Sequence, residues 1–458
     1  MNDAPARLPL TGIRVLDLSS VWAMPYAAGT LTDLGAEVIK IEALQRLDSS
    51  RAGTTNGMWP EGDGGREPWN VPGSFSLINR GKRSLLLNMA GPEGRDVFRE
   101  LVAISDVVIE NFTARVMRDW HLEYEDLKAL KPDIIMVSNT GYGHDSPWES
   151  YPAQGTALEG TTGIPNFSGY MGGRPWTVGQ SYPDFVAMWH GLFSIMACLR
   201  RRAITGEGAW IDLGMYQANV GFMGEAMLDY VANGRLGERL GNRDHIQGVQ
   251  GCYRTLGDDR WFAVATQNDA EWCALRDLIG TAAWGESTPP ATLAEARERH
   301  DEVDGVIAAW AAARTREDAA QACRSAGLPA GPVNDARDLL LDPHLRARGL
   351  YEMVDHAPGT GVGRRPIIGR PYRLSATPLH VRHPAPPLGE ANEYVLKELL
   401  GMPAARFDDL VAKEITGWRE PLAEPVHGLP MQTLLDAGRL RVYDPEYRER
   451  LGIVPEQA

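Results

Sequence analysis

The chain has 458 residues, 43% of them apolar, and a formal net charge of −14. That length and apolar content fit two or three folded domains, and the charge opposes nonspecific nucleic-acid binding while leaving room for a local basic pocket. The four cysteines, Cys198, Cys252, Cys273 and Cys323, form no CxxC pair, which fits a reducing compartment and argues against a metal site.

In chain order, the start, MNDAPARLPLTG, has no basic segment leading into an apolar stretch. No apolar run approaches the roughly 20 residues of a membrane span. A soluble, cytoplasmic protein is expected. IRVLDLS (13–19) reads as a first strand, MPYAAGTLTDLGA (24–36) as a helix with a glycine stop, and EVIKIEA (37–43) as a second strand. Residues 44–78 are rich in Gly, Pro and Asp and read as a long loop, a feature that is often functional. RSLLLNM (83–89) is a third strand, GPEGRDVFRELVAIS (91–105) an amphipathic helix, and DVVIENF (106–112) a fourth strand. YEDLKAL (124–130) is a helix and DIIMVSN (133–139) a fifth strand. Strands separated by such helices predict βαβ units and a mostly parallel sheet.

SYPDFVAMWHG (181–191) places Asp184 directly after Pro183 and ahead of a long apolar stretch. An acid in a first helical turn favours the positive end of the helix dipole, so Asp184 reads as a helix start. It also reads as a catalytic carboxylate. The helix runs for roughly 20 residues to the RRRAITGEG stop. Near residue 235 the pattern changes. CYRTLGDDRWFAVAT (252–266) predicts a hairpin, followed by amphipathic helices at 269–280, 292–311 and 315–326, a smaller α/β domain. GLPAGPVND (327–335) reads as the crossing back, and NEYVLKELLG (392–401) as a last core helix. The predicted division is a large domain over 1–225, a small domain over 226–330, a return over 331–418, and a tail, 419–458, without an assigned role.

Several segments together resemble the class III CoA-transferases, the family of formyl-CoA transferase and carnitine CoA-transferase. They are LTGIRVLDLSSVWAMPYAAGTLTDLGAEVIKIE (10–42), NRGKRSLLLNMAGPEG (79–94), SDVVIENF (105–112), KPDIIMVSNTGYG (131–143), TGEGAWIDLGM (205–215), GLPAGPVNDARDLLLDPHLRARG (327–349) and PLGEANEYVLKELLGM (387–402). The resemblance implies an α/β fold: a Rossmann-like large domain with a parallel sheet built from both chain ends, plus a smaller α/β domain. It also implies two ring-shaped subunits interlocked as a homodimer.

The resemblance places the family's nucleophilic aspartate on Asp184. It implies transfer of CoA from an acyl-CoA donor to a small carboxylic acid through a covalent aspartyl intermediate. CoA would serve as co-substrate, with no tightly bound cofactor, metal, nucleic acid or membrane partner. The implied CoA contacts are Val21, Trp22 and Ala23; Leu87, Asn88 and Met89; Asn111, Phe112 and Thr113; and Gln154. Plain core packing is the competing reading of Val21, Leu87 and Phe112. Arg80, Lys82 and Arg83 are candidates for the CoA phosphates, with a solvated turn as the alternative. Two family basic positions fall on Ala43 and Asp119, where Arg46, Arg51, Arg115 and Arg118 are nearby substitutes. The tyrosine–acid pair of formyl-CoA transferase falls on Gln154 and Gly155, so a different acceptor pocket is expected. Gly241, Gly248 and Gly251 fall where the family has a mobile loop over the active site, a plain connecting loop being the alternative. Two rival readings are an acyl-CoA epimerase, whose second base would fall on Gln154, and one subunit of a heteromeric transferase.

Overall fold

A computed structural model describes residues 8–51, 59–179, 181–244, 246 and 248–454. The chain forms two compact units. One comprises residues up to Thr162, Gly179–Glu225, and the chain from Leu341 onward; the other comprises Gly163–Val178 and Ala226–Leu340. Among the described residues no helix is long and apolar enough to cross a membrane.

The first unit is organised by a six-stranded sheet: β1 (Arg14–Asp17), β2 (Glu37–Glu42), β3 (Arg83–Leu86), β4 (Val107–Glu110), β5 (Ile135–Thr140) and β6 (Ala209–Gly214). All neighbours pair parallel, in the order β3-β2-β1-β4-β5-β6. This is the doubly wound order of dinucleotide-binding folds, and its direction reverses between β1 and β4. Val, Ile and Leu fill both faces of the central strands, as a sheet covered on two sides requires.

One face carries Leu16, Ile39, Leu85, Val108 and Met136. The other carries Val15, Val38, Val107, Ile109 and Val137 under α1 (Ala23–Asp33) and the long α3 (Tyr182–Thr205). A short helix, α2 (Gly155–Thr161), packs on α3, and α4 (Gly224–Asn233) follows it in the chain.

Most predicted strands and helices are present within a few residues of the expected bounds. Three differences have physical causes. AWIDLG forms the sixth strand, at the sheet edge, where alternate residues remain half-exposed and the apolar signal is weak. The predicted helix over 292–311 is two helices, Leu293–Glu298 and His300–Ala312, broken at Arg299. The sheet is not built from both chain ends: every strand lies between residues 14 and 214. The C-terminal end contributes core instead. Val395 and Leu396, in a π-helical turn (Tyr394–Leu399), join Met402, Phe407, Leu410 and Ile415 under the first face. The backbone of Ser84 and Leu86 on the β3 edge bonds to residues 390–392: Ala391 N–H donates to Ser84 O (3.0 Å), and Leu86 N–H donates to Asn392 Oδ1 (2.8 Å).

The long loop over 44–78 contains a helix, Gly73–Ile78, and a short strand, Asp63–Gly65, that pairs with Val426–His427 of the C-terminal segment; residues 52–58 of that loop lie outside the described residues. In the second unit, Gln250–Arg254 and Trp261–Ala265 form the expected antiparallel hairpin. Ala330–Pro332, expected in a crossing segment, supplies a third strand to it. Of the three glycines expected in a mobile loop, Gly251 lies inside a strand and a Cβ on Gly248 would stand 2.0 Å from Thr266 O; residues 245 and 247 lie outside the described residues.

Candidate active site

Asp184 is buried in the first turn of α3, two residues after the helix begins. Ser181 precedes the helix in a left-handed conformation (φ 54°) and accepts the Asp184 N–H at its carbonyl oxygen (2.9 Å). Pro183 fits the first helical turn because the N–H it lacks would have had no helical partner there. The Ala23 N–H, and after it the Ser181 hydroxyl and the N–H of Asp184 itself, favour the ionised form of the Asp184 carboxylate.

Ala23 is the first residue of α1, and Trp22 before it provides no side-chain cap. The Asp184 carboxylate therefore feels the start of a second helix from across the fold. Two helix N-termini favour its ionised form. Burial opposes them and is the larger effect, pushing the carboxyl up to about 6. The group is ionised at neutral pH yet held in a poorly solvated position.

Packing fixes this placement. Phe185 meets Trp22 and Tyr26 edge-on, with centroids 5.9 and 6.2 Å away. Asn219 donates to Pro183 O (3.3 Å). Gly191 lets α3 close on α1: a Cβ there would stand 2.7 Å from Met24 Cε. Gly155, the first residue of α2, is closer still to the reacting group. A Cβ on it would lie 2.1 Å from Asp184 Oδ2. One of the positions at which the sequence departs from formyl-CoA transferase, Gly155, is thus the one whose missing side chain leaves space for the carboxylate. Gln154 is exposed and immediately precedes α2.

The loop entering α1 leaves the C-terminal end of β1 at the sheet's reversal point. Val21 has φ 76°, in the left-handed region that a β-branched residue rarely occupies, and its side chain is 52% exposed. Asn111, after β4, ties this loop down: it accepts the Ser20 N–H (2.9 Å) and donates to Ser20 O (2.7 Å). Glu110 at the end of β4 accepts the Phe112 N–H (2.8 Å), and burial raises its carboxyl to about 7. Phe112 packs edge-on against Trp120 at 5.4 Å, and Thr113 immediately precedes the helix Ala114–Asp119.

Residues 21–23 and 111–113 therefore meet at one sheet edge. Leu87, Asn88 and Met89 follow β3 on the same edge, two strands away from β1. Leu87 and Met89 are buried in the core cluster, and the Asn88 N–H donates to Ile415 O (2.7 Å).

The basic candidates are arranged otherwise than a solvated turn or an open phosphate site requires. Arg80 is buried against Asp33 (2.8 Å) and Lys82 against Asp17 (2.6 Å). Burial lowers Lys82 to about 8. Arg51 is buried against Glu42 (2.7 Å) and lies 3.6 Å over the Phe75 ring. Removing Lys82 or Arg51 would leave a buried carboxylate without its ion-pair partner, and Arg80 shares Asp33 with Arg370 (2.9 Å), which makes these cations structural. Arg83 is half-exposed, 3.7 Å from Glu37 and over Tyr394. Arg46 is exposed, and Arg115 pairs with Asp119 at 2.8 Å on an exposed helix face.

A buried carboxylate at the reversal point of a doubly wound sheet is a ligand-edge site of the open α/β class. Among solved structures, a CAIB/BAIF family protein from Brucella suis is similar over 86% of this chain and 99% of its own, with 29% identity and a TM-score of 0.76. The model of CoA-transferase family III matches residues 10–392, and the chain belongs to that family. A succinate–glutarate CoA-transferase from Agrobacterium fabrum is 32% identical over 87% of this chain and 98% of its own length. A succinyl-CoA–L-malate CoA-transferase beta subunit from Chloroflexus aurantiacus is 30% identical over 91% and 100%.

Proposed function

We propose that the protein transfers CoA from an acyl-CoA donor to a carboxylic acid, with Asp184 as the nucleophile. The observation that carries this is the buried Asp184 carboxylate at the N-terminus of α1, at the sheet's reversal point. The Asp184 carboxylate attacks the donor thioester carbonyl, and the C–S bond breaks to give a mixed anhydride and CoA thiolate. The thiolate attacks the aspartyl carbonyl, forming an aspartyl-CoA thioester and releasing the donor acid. The acceptor carboxylate then attacks that thioester, giving a second anhydride and thiolate. The thiolate takes the acceptor's acyl group and restores the Asp184 carboxylate. Covalent capture divides one hard exchange into easier steps. Burial of Asp184 keeps competing water away from the anhydride and thioester. In this reading the Ala23 N–H, which favours the ionised carboxylate at rest, would stabilise the oxyanion on the aspartyl carbonyl.

Val21, Trp22, Ala23, Asn111, Phe112 and Thr113 form the CoA-facing edge in this reading, with Leu87, Asn88 and Met89 contributing from the far side. The burial of Leu87 and Met89 limits them to supporting that edge. Succinyl-CoA with glutarate or malate is the first combination to test, because relatives carry those names.

The working form proposed is the interlocked homodimer. The support is α4, which buries none of its residues although it carries Met227, Leu228, Tyr230 and Val231, each more than half exposed. A helix with so much bare apolar surface requires a cover.

The test is capture of the intermediate. Incubation with succinyl-CoA and no acceptor should load Asp184. Hydroxylamine should inactivate only the loaded enzyme, and borohydride should reduce its thioester to the alcohol. Mass spectrometry should place the change on the peptide containing Asp184. Turnover with no modified acid, or modification elsewhere, would refute the assignment.

A further inference from the structure

We infer that Lys40 and Asp48 form a positioning pair for the nucleophile, acting through the backbone of the Ser19–Ala23 loop. The inference rests on the reading of Asp184 as the reacting group and adds two residues to its machinery.

Neither residue faces the reaction. Lys40 lies in β2 and Asp48 in the long loop after it, both buried, and their ion pair spans 3.0 Å. Asp48 Oδ2 takes the Lys40 ammonium; Oδ1 accepts the Val21 N–H (3.1 Å), the Ser50 N–H (2.9 Å) and the Ser50 hydroxyl (2.8 Å). The Lys40 ammonium also donates to Ser19 O (2.8 Å). Successive backbone groups of the loop are thus gripped by three side chains from other elements. Lys40 holds Ser19 O, Asn111 holds both polar groups of Ser20, and Asp48 holds Val21 N–H. Next in the chain, Trp22 packs edge-on against Phe185, the neighbour of Asp184, at 5.9 Å, and the Ala23 N–H favours the ionised Asp184 carboxylate.

This grip has a physical purpose. A β-branched residue at φ 76° is strained and persists only when its surroundings over-determine it. Released, Val21 would relax to negative φ and re-aim the next peptides, including the Ala23 N–H. A buried salt bridge is a poor source of net stability, so its retention fits a specificity role. Burial raises the Asp48 carboxyl, but the Lys40 charge and the Ser50 hydrogen bonds outweigh it and hold the group below its ordinary value. The pair therefore stays charged across the working pH range.

The sign of one measurable shift separates positioning from simple electrostatics. Burial raises the Asp184 carboxyl, the polar hydrogens of Ala23, Ser181 and Asp184 itself oppose that rise, and no charged side chain contributes. Removing the negative Asp48 would, as a bare charge effect, lower the Asp184 pKa. Loosening the Ala23 N–H would raise it, because that bond favours the carboxylate.

The experiment is an infrared titration of the Asp184 carboxyl band, taken as the difference from Asp184→Asn, on the full chain and without substrate. Wild type should titrate near 6. Asp48→Ala should titrate higher by roughly half a pH unit or more. Asp48→Asn, which retains an oxygen for the Val21 N–H, should not rise. Asn111→Ala, which frees Ser20 and leaves the ion pair intact, should rise in the same direction and carries the test alone if Asp48→Ala does not fold. An unchanged or lowered value in the folded Asp48→Ala would overturn the inference. So would an equal rise in Val395→Ala, a core truncation on the other sheet face. Because the titration needs no turnover, a rise in a protein that transfers no CoA would uphold the positioning pair and reject the transferase reading.

Discussion

Replacing Gly155 with alanine should disable Asp184 while leaving the fold in place. The new Cβ would stand 2.1 Å from Asp184 Oδ2, and real Cβ contacts do not fall below 3.0 Å. Either the carboxylate or α2 must move by about 1 Å, and a misplacement of that size costs on the order of 10²-fold in rate. That equals about 2.7 kcal/mol of lost transition-state stabilisation. Backbone strain is not expected, since Gly155 is not among the positive-φ glycines. Stability is pulled in opposite directions: alanine gains up to about 1 kcal/mol of helix propensity, and overpacking costs about 1–3 kcal/mol. The melting temperature should therefore move far less than the rate. The assay is chromatographic measurement of succinyl-CoA conversion with a glutarate acceptor, with binding of CoA thioester measured separately. The loss should fall on kcat, with the dissociation constant little changed. A folded Gly155→Ala variant turning over within about 3-fold of wild type, some 0.6 kcal/mol, would refute the steric argument.

Four further outcomes follow from the structure. The acidic limb of kcat/KM should lie near pH 6, with activity lost as pH falls through that value and Asp184 gains its proton. The same shift acts on stability: between about pH 4 and 6 the native chain keeps a proton the unfolded chain has released, so stability falls as pH rises through this window. Asp184→Asn should consequently raise the melting temperature at pH 8, by an amount worth at most about 3 kcal/mol, and not at pH 3.5; equal effects at both pH values would contradict the burial argument. Val231→Asp adds a charge at an exposed position of α4 and should weaken a dimer that otherwise resists dilution, read by sedimentation; a wild-type monomer that is folded at all concentrations would remove the dimer proposal. In D₂O with a 2-methylacyl-CoA the enzyme should not exchange the α-hydrogen, since the exposed amide of Gln154 cannot serve as second base; rapid deuterium uptake would favour epimerase chemistry.

The sheet was legible because its central strands are dense in β-branched residues and its helices carry their own start and stop signals. YEDLKAL is helical over the residues read from the sequence, 124–130. Asp184 was legible for a related reason: Pro183 and the apolar run behind it mark a helix start on their own. What escaped depends on distant parts of the chain. Nothing local to Gly155 reveals that a carboxylate 29 residues later will press against it. Arg80 and Lys82 look like a basic turn until Asp33 and Asp17, on other elements, are brought beside them. Asp48 sits in a stretch whose composition says only loop. Its bond to Val21 is a tertiary fact, and so is the left-handed backbone it secures.

The C-terminal cover on β3 sets a timetable for synthesis. The last sheet strand ends at Gly214, and the first residues that close the β3 edge and complete the adjoining core arrive about 180 residues later. At roughly 5–20 residues per second a ribosome needs on the order of 10–40 s to deliver them. Throughout that interval the nascent chain carries an unpaired strand edge beside an unfinished apolar face, the combination that invites wrong partners. Ribosome stalling placed between residues 215 and 390 should therefore yield nascent chains that recruit chaperones more strongly than stalls placed beyond residue 415.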